Sequence, residues 1–524
     1  MEHGIFSLLP PVLALILVLI TRRVLLSLGV GILVGALMVH QGEEQFINAA
    51  AGDILSTVTG IFYVPGDGVN TWEFYIILFL FLLGMIAALI TVTGGARAFG
   101  EWAVTKVKTR TGAQFTSAVL GIIIFIDDYF NSLTVGNVSR PLTDRHRISR
   151  AKLAYIVDST AAPMCVISPI SSWGAYIITI IGGILATHSY MEGEALQAFL
   201  LIAPMNFYAV LAITAVFAAA WWRLDFGPMR RHEMNALNTG ELVNRSRGPV
   251  PGEHETEEPE HTGRVADLLI PIAVLIGATV LFMIITGIQA SEGGATVLST
   301  FENTDVASSL LYGGLISFAS AVILAAVRKV RVPLIGAALW SGIKSMLPAI
   351  YILIFAWTIV SVIDQLGTGE YLAQLVDGSI PLMMLPVLVF LLAGFMAFST
   401  GTSWGTFAIM LPIAGDIAAV VDITMMLPMM AAVLAGSIFG DHCSPISDTT
   451  ILSSTGAGSH HIDHVVTQLP YAIVVAVSSS AAFLVLGASG STLLGLAAGF
   501  IVLALLLFGI RLAAPPIQKE TVSS

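Results

Sequence analysis

Charge is scarce in this chain. Only 11% of its 524 residues are Asp, Glu, Lys or Arg, 56% are hydrophobic, and the mean hydropathy is +0.88. A soluble domain carries about 25% charged residues, and a charge content this low cannot solvate a water-facing surface of this size. Cysteine is scarcer still. Cys165 and Cys443 are the only two, both in apolar surroundings, which excludes a disulfide framework and reads them as small buried residues. The sequence has no HExxH, no CxxC pair, no EF-hand loop and no GxxxxGK[ST], which argues against those metal chemistries and against ATP-driven pumping by this chain alone. The net charge of −11, much of it from one acidic loop, argues against a nucleic-acid partner. No basic stretch precedes the first apolar run. Arg22 and Arg23 come after it, so it reads as a retained membrane helix and not a secretory signal.

The chain has long apolar runs instead. Residues 73–93, 197–222, 268–288, 308–327, 345–363 and 467–486 each hold about 20 residues, enough helix to cross a bilayer core. A transmembrane barrel would show alternating segments of about ten residues, so the expected class is all-α and polytopic. Lys and Arg mark cytoplasmic loops. Arg22/Arg23, the group from Arg97 to Arg110, the group from Arg140 to Lys152, the polar loop 223–264 and Arg328/Lys329/Arg331 therefore lie inside. Segments 40–71, 187–194, 291–305, 367–379 and 415–424 lack basic residues and lie outside, while Arg511 and Lys519 place the C-terminus inside. Residues 111–139 begin and end on the same side, which calls for a re-entrant hairpin with Asp127-Asp128-Tyr129-Phe130-Asn131-Ser132 in its middle. The expectation is about 11 crossings plus two re-entrant hairpins. The implied division is 1–72, N-terminal helices; 73–222, a first inverted repeat; 223–265, a solvated cytoplasmic linker; 266–345, connecting helices; 346–510, a second inverted repeat; and 511–524, a cytoplasmic tail.

The repeat shows in a recurring motif. Ser168-Pro169-Ile170-Ser171 reappears as Ser444-Pro445-Ile446-Ser447. Upstream of the first lies Asn131-Ser132-Leu133-Thr134, and upstream of the second Gly401-Thr402-Ser403-Trp404. The loop charges give the two halves opposite orientation, the plan of inverted-repeat transporters with discontinuous helices. Proline in a membrane helix frees a carbonyl, and flanking serines supply hydroxyls. Unwound backbone, hydroxyls and carboxylates suit a small hard cation; the plainer alternative is a kink with locally bonded serines. Ionisable residues at membrane depth usually face a partner or a cavity, which singles out Asp127, Asp128, Asp158, Asp441, His442 and Asp448. One of the Asp127/Asp128 pair is expected to be a helix cap, His442 is equally readable as a buried hydrogen-bonded histidine, and Trp173 and Trp404 read as packing, with stacking on substrate as the alternative. His460, His461 and His464 read as solvated. Asp441-His442 beside Ser444 is no enzyme constellation, because neighbouring residues on a helix point apart.

The runs Phe125-Ile126-Asp127-Asp128-Tyr129-Phe130-Asn131-Ser132-Leu133-Thr134-Val135-Gly136 and Gly440-Asp441-His442-Cys443-Ser444-Pro445-Ile446-Ser447-Asp448-Thr449-Thr450 resemble the NhaC-type sodium/proton antiporter family. The resemblance covers about residues 70 to 510. It implies a bacterial or archaeal plasma-membrane antiporter with no cofactor beyond the transported Na⁺ and H⁺. Relatives of this kind include Na⁺/H⁺ exchangers, a cation-coupled malate–lactate exchanger and proposed amino-acid carriers, so an amino acid or carboxylate is the alternative cargo. A homodimer is a candidate assembly. On this reading Asp127, Asp128, Asp158, Asp441 and Asp448 bind ions or protons. Asn131, Ser132, Thr134, Ser168, Ser171, Thr402, Ser403, His442, Ser444 and Ser447 add coordinating groups. The Na⁺ site is sought among Asp128, Asp158, Ser168, Ser444 and Ser447.

Overall fold

The computed structural model describes every residue except 1–3, 22, 67, 126, 170, 192–194, 251–262, 292–295, 368–370, 372–380 and 518–524. Arg22, Lys519, the acidic part of the linker and most of loop 367–379 thus lie outside the described residues. The described residues are mostly helical, with one two-stranded ribbon among them pairing Tyr63 with Val69 and Val64 with Gly68. Where water is absent, backbone groups must bond within their own segment, and apolar runs of this length become helices for that reason.

Among the described residues, eight helices are long and apolar enough to cross a membrane, and the bent pair Ala195–Met205 and Phe207–Trp222, at 47°, makes a ninth. The expected 11 crossings included shorter apolar helices such as Gly4–Ala14 and Leu25–Val39. The helix Val332–Gln365 is continuous, so the boundary drawn at 345/346 falls inside one element. Leu281, Ile323, Leu505 and Leu512 stand exposed on the outside, as side chains facing lipid would.

Four elements position the site. The first hairpin pairs helix Arg110–Ile123 with helix Asp128–Arg145. Thr109 caps the first by accepting from Gly112 N, and Asn131 Nδ2 donates to Gly121 O at 2.6 Å and to Ile124 O. Those bonds satisfy carbonyls that a helix end leaves free. The first helix ends at Ile123 and the second begins at Asp128, so the turn precedes most of the expected middle, 127–132, and Asp128 opens a helix. The second hairpin pairs Leu385–Thr400 with Ser403–Val421. It turns at Gly401, whose φ of +72° and whose closeness to Ile446, 2.6 Å from a built Cβ, both require glycine.

The two broken helices are Arg150–Ile167 with Ser172–Thr187, and Met426–Cys443 with Asp448–Ala457. Each breaks at its Ser-Pro-Ile-Ser copy in the same way. Ser168 N donates to Cys165 O and Ser444 N to Asp441 O, closing the first halves. Ser171 then accepts from Gly174 N, and Ser447 from Thr450 N, opening the second halves. Each break is pinned to the hairpin of its own repeat, by Cys165 Sγ to Phe125 O at 3.2 Å and by Ser444 Oγ to Phe398 O at 2.9 Å.

The described part of the linker is exposed along much of its length, but it is docked on the protein through buried residues. Helix Gly227–Asn238 carries Glu233, which is fully buried, bridges Arg110 and accepts from Ser149 N at 2.7 Å. Burial, and then Asp225 nearby, hold the Glu233 carboxyl above its usual range, with Arg110 pulling the other way. Buried Lys152 lies 3.1 Å from Asp225, Arg247 pairs with Asp463, and His460 Nε2 lies 2.9 Å from Asn244 O. Complementary charges on the linker and on the inner ends of both repeats bring the segment down onto the protein.

Candidate functional site

The site forms where the first hairpin's turn meets the second helix break. Asp128 begins its helix buried, and its Oδ1 accepts from Trp173 Nε1 at 2.8 Å. Trp173 is itself buried and packs edge-on to Trp404 and Phe407. It was expected to pack or to stack on substrate; it packs, and it also orients an acid. Asp128 Oδ2 is buried without a partner among the described residues. One residue on, the Tyr129 hydroxyl donates to Asp448 Oδ2 across the two repeats. Asp448 Oδ1 takes Thr449 N at 2.8 Å, placing an acid at a helix N-terminus, where the dipole favours it. Thr449 Oγ1 donates to Asp441 Oδ2 at 2.7 Å and lies 3.0 Å from Ser447 Oγ. Asp128 lies within electrostatic range of Asp127, Asp441 and Asp448.

A second centre lies further along the helix Asp448–Ala457. Asp158, wholly buried, accepts from Ser453 Oγ at 3.0 Å, Thr450 Oγ1 at 3.5 Å and Gln468 Nε2, and its Oδ2 stands 3.2 Å from His464 Nε2. Ser453 Oγ is also 3.0 Å from Ser132 Oγ. Gln468 reaches on to His442 O at 3.0 Å, and His442 Nδ1 lies 3.2 Å from the Tyr208 hydroxyl. That is the buried, hydrogen-bonded histidine, with Nε2 unpartnered among the described residues.

The remaining predicted residues do other work. Ser171 Oγ donates within its own break, to Cys165 O at 2.6 Å, and Ser403 Oγ donates to Ser437 O at 3.3 Å. Of the set in which the Na⁺ site was sought, Asp158 bonds to the hydroxyls of Ser453 and Thr450, while Ser168 and Ser444 shape and anchor the breaks. Sequence reasoning missed Tyr129, Thr449, Thr450, Ser453, His464 and Gln468. It also took His460, His461 and His464 for solvated, but all three are buried: the helix beginning at His461 carries His461 and His464 inward, and His460, its N-cap, lies against Asn244 O of the linker. The one-turn spacing of His464 and Gln468 was the available signal.

Two cavities approach this region from opposite sides. One, of about 320 Å³, is lined by Trp72, Glu73, Tyr129, Thr402, Trp404 and Asp448 and lies next to the Lys/Arg-free, outer segment. The other, of about 430 Å³, is lined by Thr134, Asn137, Arg140, Arg145 and Arg150 and lies on the basic, inner side. Both touch helix Asp128–Arg145, at Tyr129 and at Thr134, positions about 7.5 Å apart along its axis. Thr134 Oγ1 is buried without a partner among the described residues. No three His, Cys, Asp or Glu side chains among the described residues gather as a metal cluster. The groups that do converge are carboxylates and hydroxyls, which suit hard cations.

An uncharacterized protein of Haemophilus influenzae is 48% identical over 514 residues, 97% of this chain and 96% of that one. The malate-2H⁺/Na⁺-lactate antiporter of Bacillus subtilis is 35% identical over 108 residues, 19% of this chain and 22% of that one. Among solved structures, the Neisseria gonorrhoeae antimetabolite efflux pump MtrF aligns with a TM-score of 0.35 and 10% identity over 95% of both chains. The model of the Na⁺/H⁺ antiporter family matches residues 164–488, which span both helix breaks and the second hairpin. The chain belongs to the Na⁺/H⁺ antiporter family and is a multi-span membrane transporter of ions, not an enzyme.

Proposed function

We propose that this protein exchanges Na⁺ for H⁺ across the bacterial plasma membrane by alternating access. The observation that carries the reading is the group Asp128, Asp441 and Asp448, of which Asp448 lines the outer cavity, with no Lys or Arg paired to them among the described residues. Several carboxylates in a low-dielectric interior are costly unless a cation or protons neutralise them. Na⁺ and H⁺ then compete for the same oxygens, and that competition couples their movements. Asp128, with an unpartnered Oδ2, and Asp448, on the outer cavity, receive the ion. Asp441 and Thr449 complete its shell. Asp158, with Ser132, Thr450 and Ser453, is a second acceptor in the barrier between the cavities. Movement of the two hairpins and broken helices against the other helices opens each cavity in turn.

The test uses purified protein in liposomes loaded with a pH-sensitive dye. An imposed Na⁺ gradient should move protons in the wild type and should fail to do so in Asp128→Asn and Asp158→Asn. Full activity in both variants would remove the assignment. A second reading, coupled carriage of an organic solute, is favoured by the outer cavity, whose size exceeds what a bare cation needs. Silence under a Na⁺ gradient until an organic solute is added would select it.

A further inference from the structure

The outer cavity is built mainly of aromatic rings and acids. Trp72, Trp357, Trp404 and Tyr129 line it together with Glu73 and Asp448, and no Lys, Arg or His is among its described lining residues. Trp404 is held by Trp173 and Tyr176, at ring-centroid distances of 5.6 and 4.8 Å, and Trp72 leans on Tyr129 at 6.4 Å. Trp404, Trp72 and Tyr129 are therefore braced by neighbouring rings. Asp448 is already engaged by Tyr129 and Thr449 N, whereas the Glu73 carboxylate has no hydrogen bond or ion pair among the described residues. The volume of about 320 Å³ is at the lower end of small-ligand pockets.

From these features we infer that the outer cavity binds an organic ammonium ion. Aromatic faces attract a cation carrying alkyl groups, both through the ring quadrupole and by covering its apolar surface. A carboxylate in the same chamber supplies the counter-charge. An organic anion would meet two acids and no cationic partner, which costs binding. The ammonium would stand beside Asp448 and so compete with the small cation there. The inference rests on the cavity's lining and not on Na⁺/H⁺ exchange.

Matched probes test it. Propylammonium and propionate are similar in length and opposite in charge, and both can be titrated into purified protein in nanodiscs while tryptophan fluorescence is followed. Saturable quenching by propylammonium and none by propionate is expected. Glu73→Gln should weaken propylammonium about tenfold, and Trp357→Leu about fivefold. Equal or tighter binding of propionate by the wild type would overturn the site, and needs no variant to be folded. So would unchanged propylammonium binding by a folded Glu73→Gln protein. Propylammonium binding in a protein that moves no protons under a Na⁺ gradient would support the ammonium site and overturn the exchange reading.

Discussion

Gly136 and Gly456 meet backbone to backbone. A Cβ built on Gly136 would stand 2.5 Å from the carbonyl carbon of Gly456, and one on Gly456 would stand 2.5 Å from Ser132 O. This contact seats helix Asp448–Ala457 on helix Asp128–Arg145, and so brings Asp448 to Tyr129 and Ser453 to Ser132. Gly456→Val should destabilise the protein by about 1–3 kcal/mol, the usual cost of overpacking. The expected observation is a lower unfolding temperature in detergent together with lost transport, while Gly183→Ala, where a Cβ meets nothing within 4 Å, changes neither.

The hydroxyl of Ser453 is 3.0 Å from Asp158 Oδ1. A hydrogen bond to a charged group contributes about 1.5–3 kcal/mol, and about 1.4 kcal/mol is tenfold in affinity. Ser453→Ala should therefore raise the Na⁺ concentration needed for half-maximal proton movement about tenfold or more. Liposome dye assays across a range of Na⁺ concentrations check this. An unchanged midpoint would place Asp158 outside the ion's path.

Lys152 is buried and donates to Asp225 at 3.1 Å and to Leu224 O at 3.2 Å. Removing one partner of a buried ion pair costs about 3–5 kcal/mol, because the other charge is left uncompensated. Lys152→Met should accordingly lower the unfolding temperature more than the double change Lys152→Met with Asp225→Leu. A double variant as unstable as the sum of the two single ones would show that the pair is not coupled.

His232 sits on the linker helix beside Asp463, Arg247 and His460. Burial holds its imidazole below its ordinary value, and Asp463 opposes that shift. A histidine depressed in the folded state takes up its proton more readily when unfolded. Its contribution to stability is full above about pH 6.5, the unfolded value, and is lost as the pH falls through the lower folded value. Thermal unfolding at pH 7.5 and pH 5 should show a larger drop for the wild type than for His232→Gln. An equal drop in both would assign the acid sensitivity elsewhere.

Much of the architecture was legible in one dimension. The apolar runs require membrane helices, because a bilayer leaves the backbone no other partner. The paired Ser-Pro-Ile-Ser copies mark the helix breaks because proline removes a donor and serine can cap the next helix. Asp128, Asp441 and Asp448 stood out because acids are rare in such sequence. The polarity of Asp448–Ala457 was visible too, but it did not reveal which of its hydroxyls faces Asp158.

The docked part of the linker and the three histidines differ from the sequence expectation for a common reason. Composition makes residues 223–250 look solvated, yet Glu233 is buried against Arg110, a partner far away in the chain. His464 likewise gains its meaning from Asp158, on another helix. Composition and periodicity report what each segment needs from its surroundings, namely lipid, water, a cap or a break. They do not report which distant segment meets that need. A helical membrane transporter with two broken helices is written into the chain itself, because those demands are local. The crossing of the helix after the second break over the first hairpin at Gly136 and Gly456 is a matter of tertiary packing, because two backbones can approach so closely only where neither residue carries a side chain.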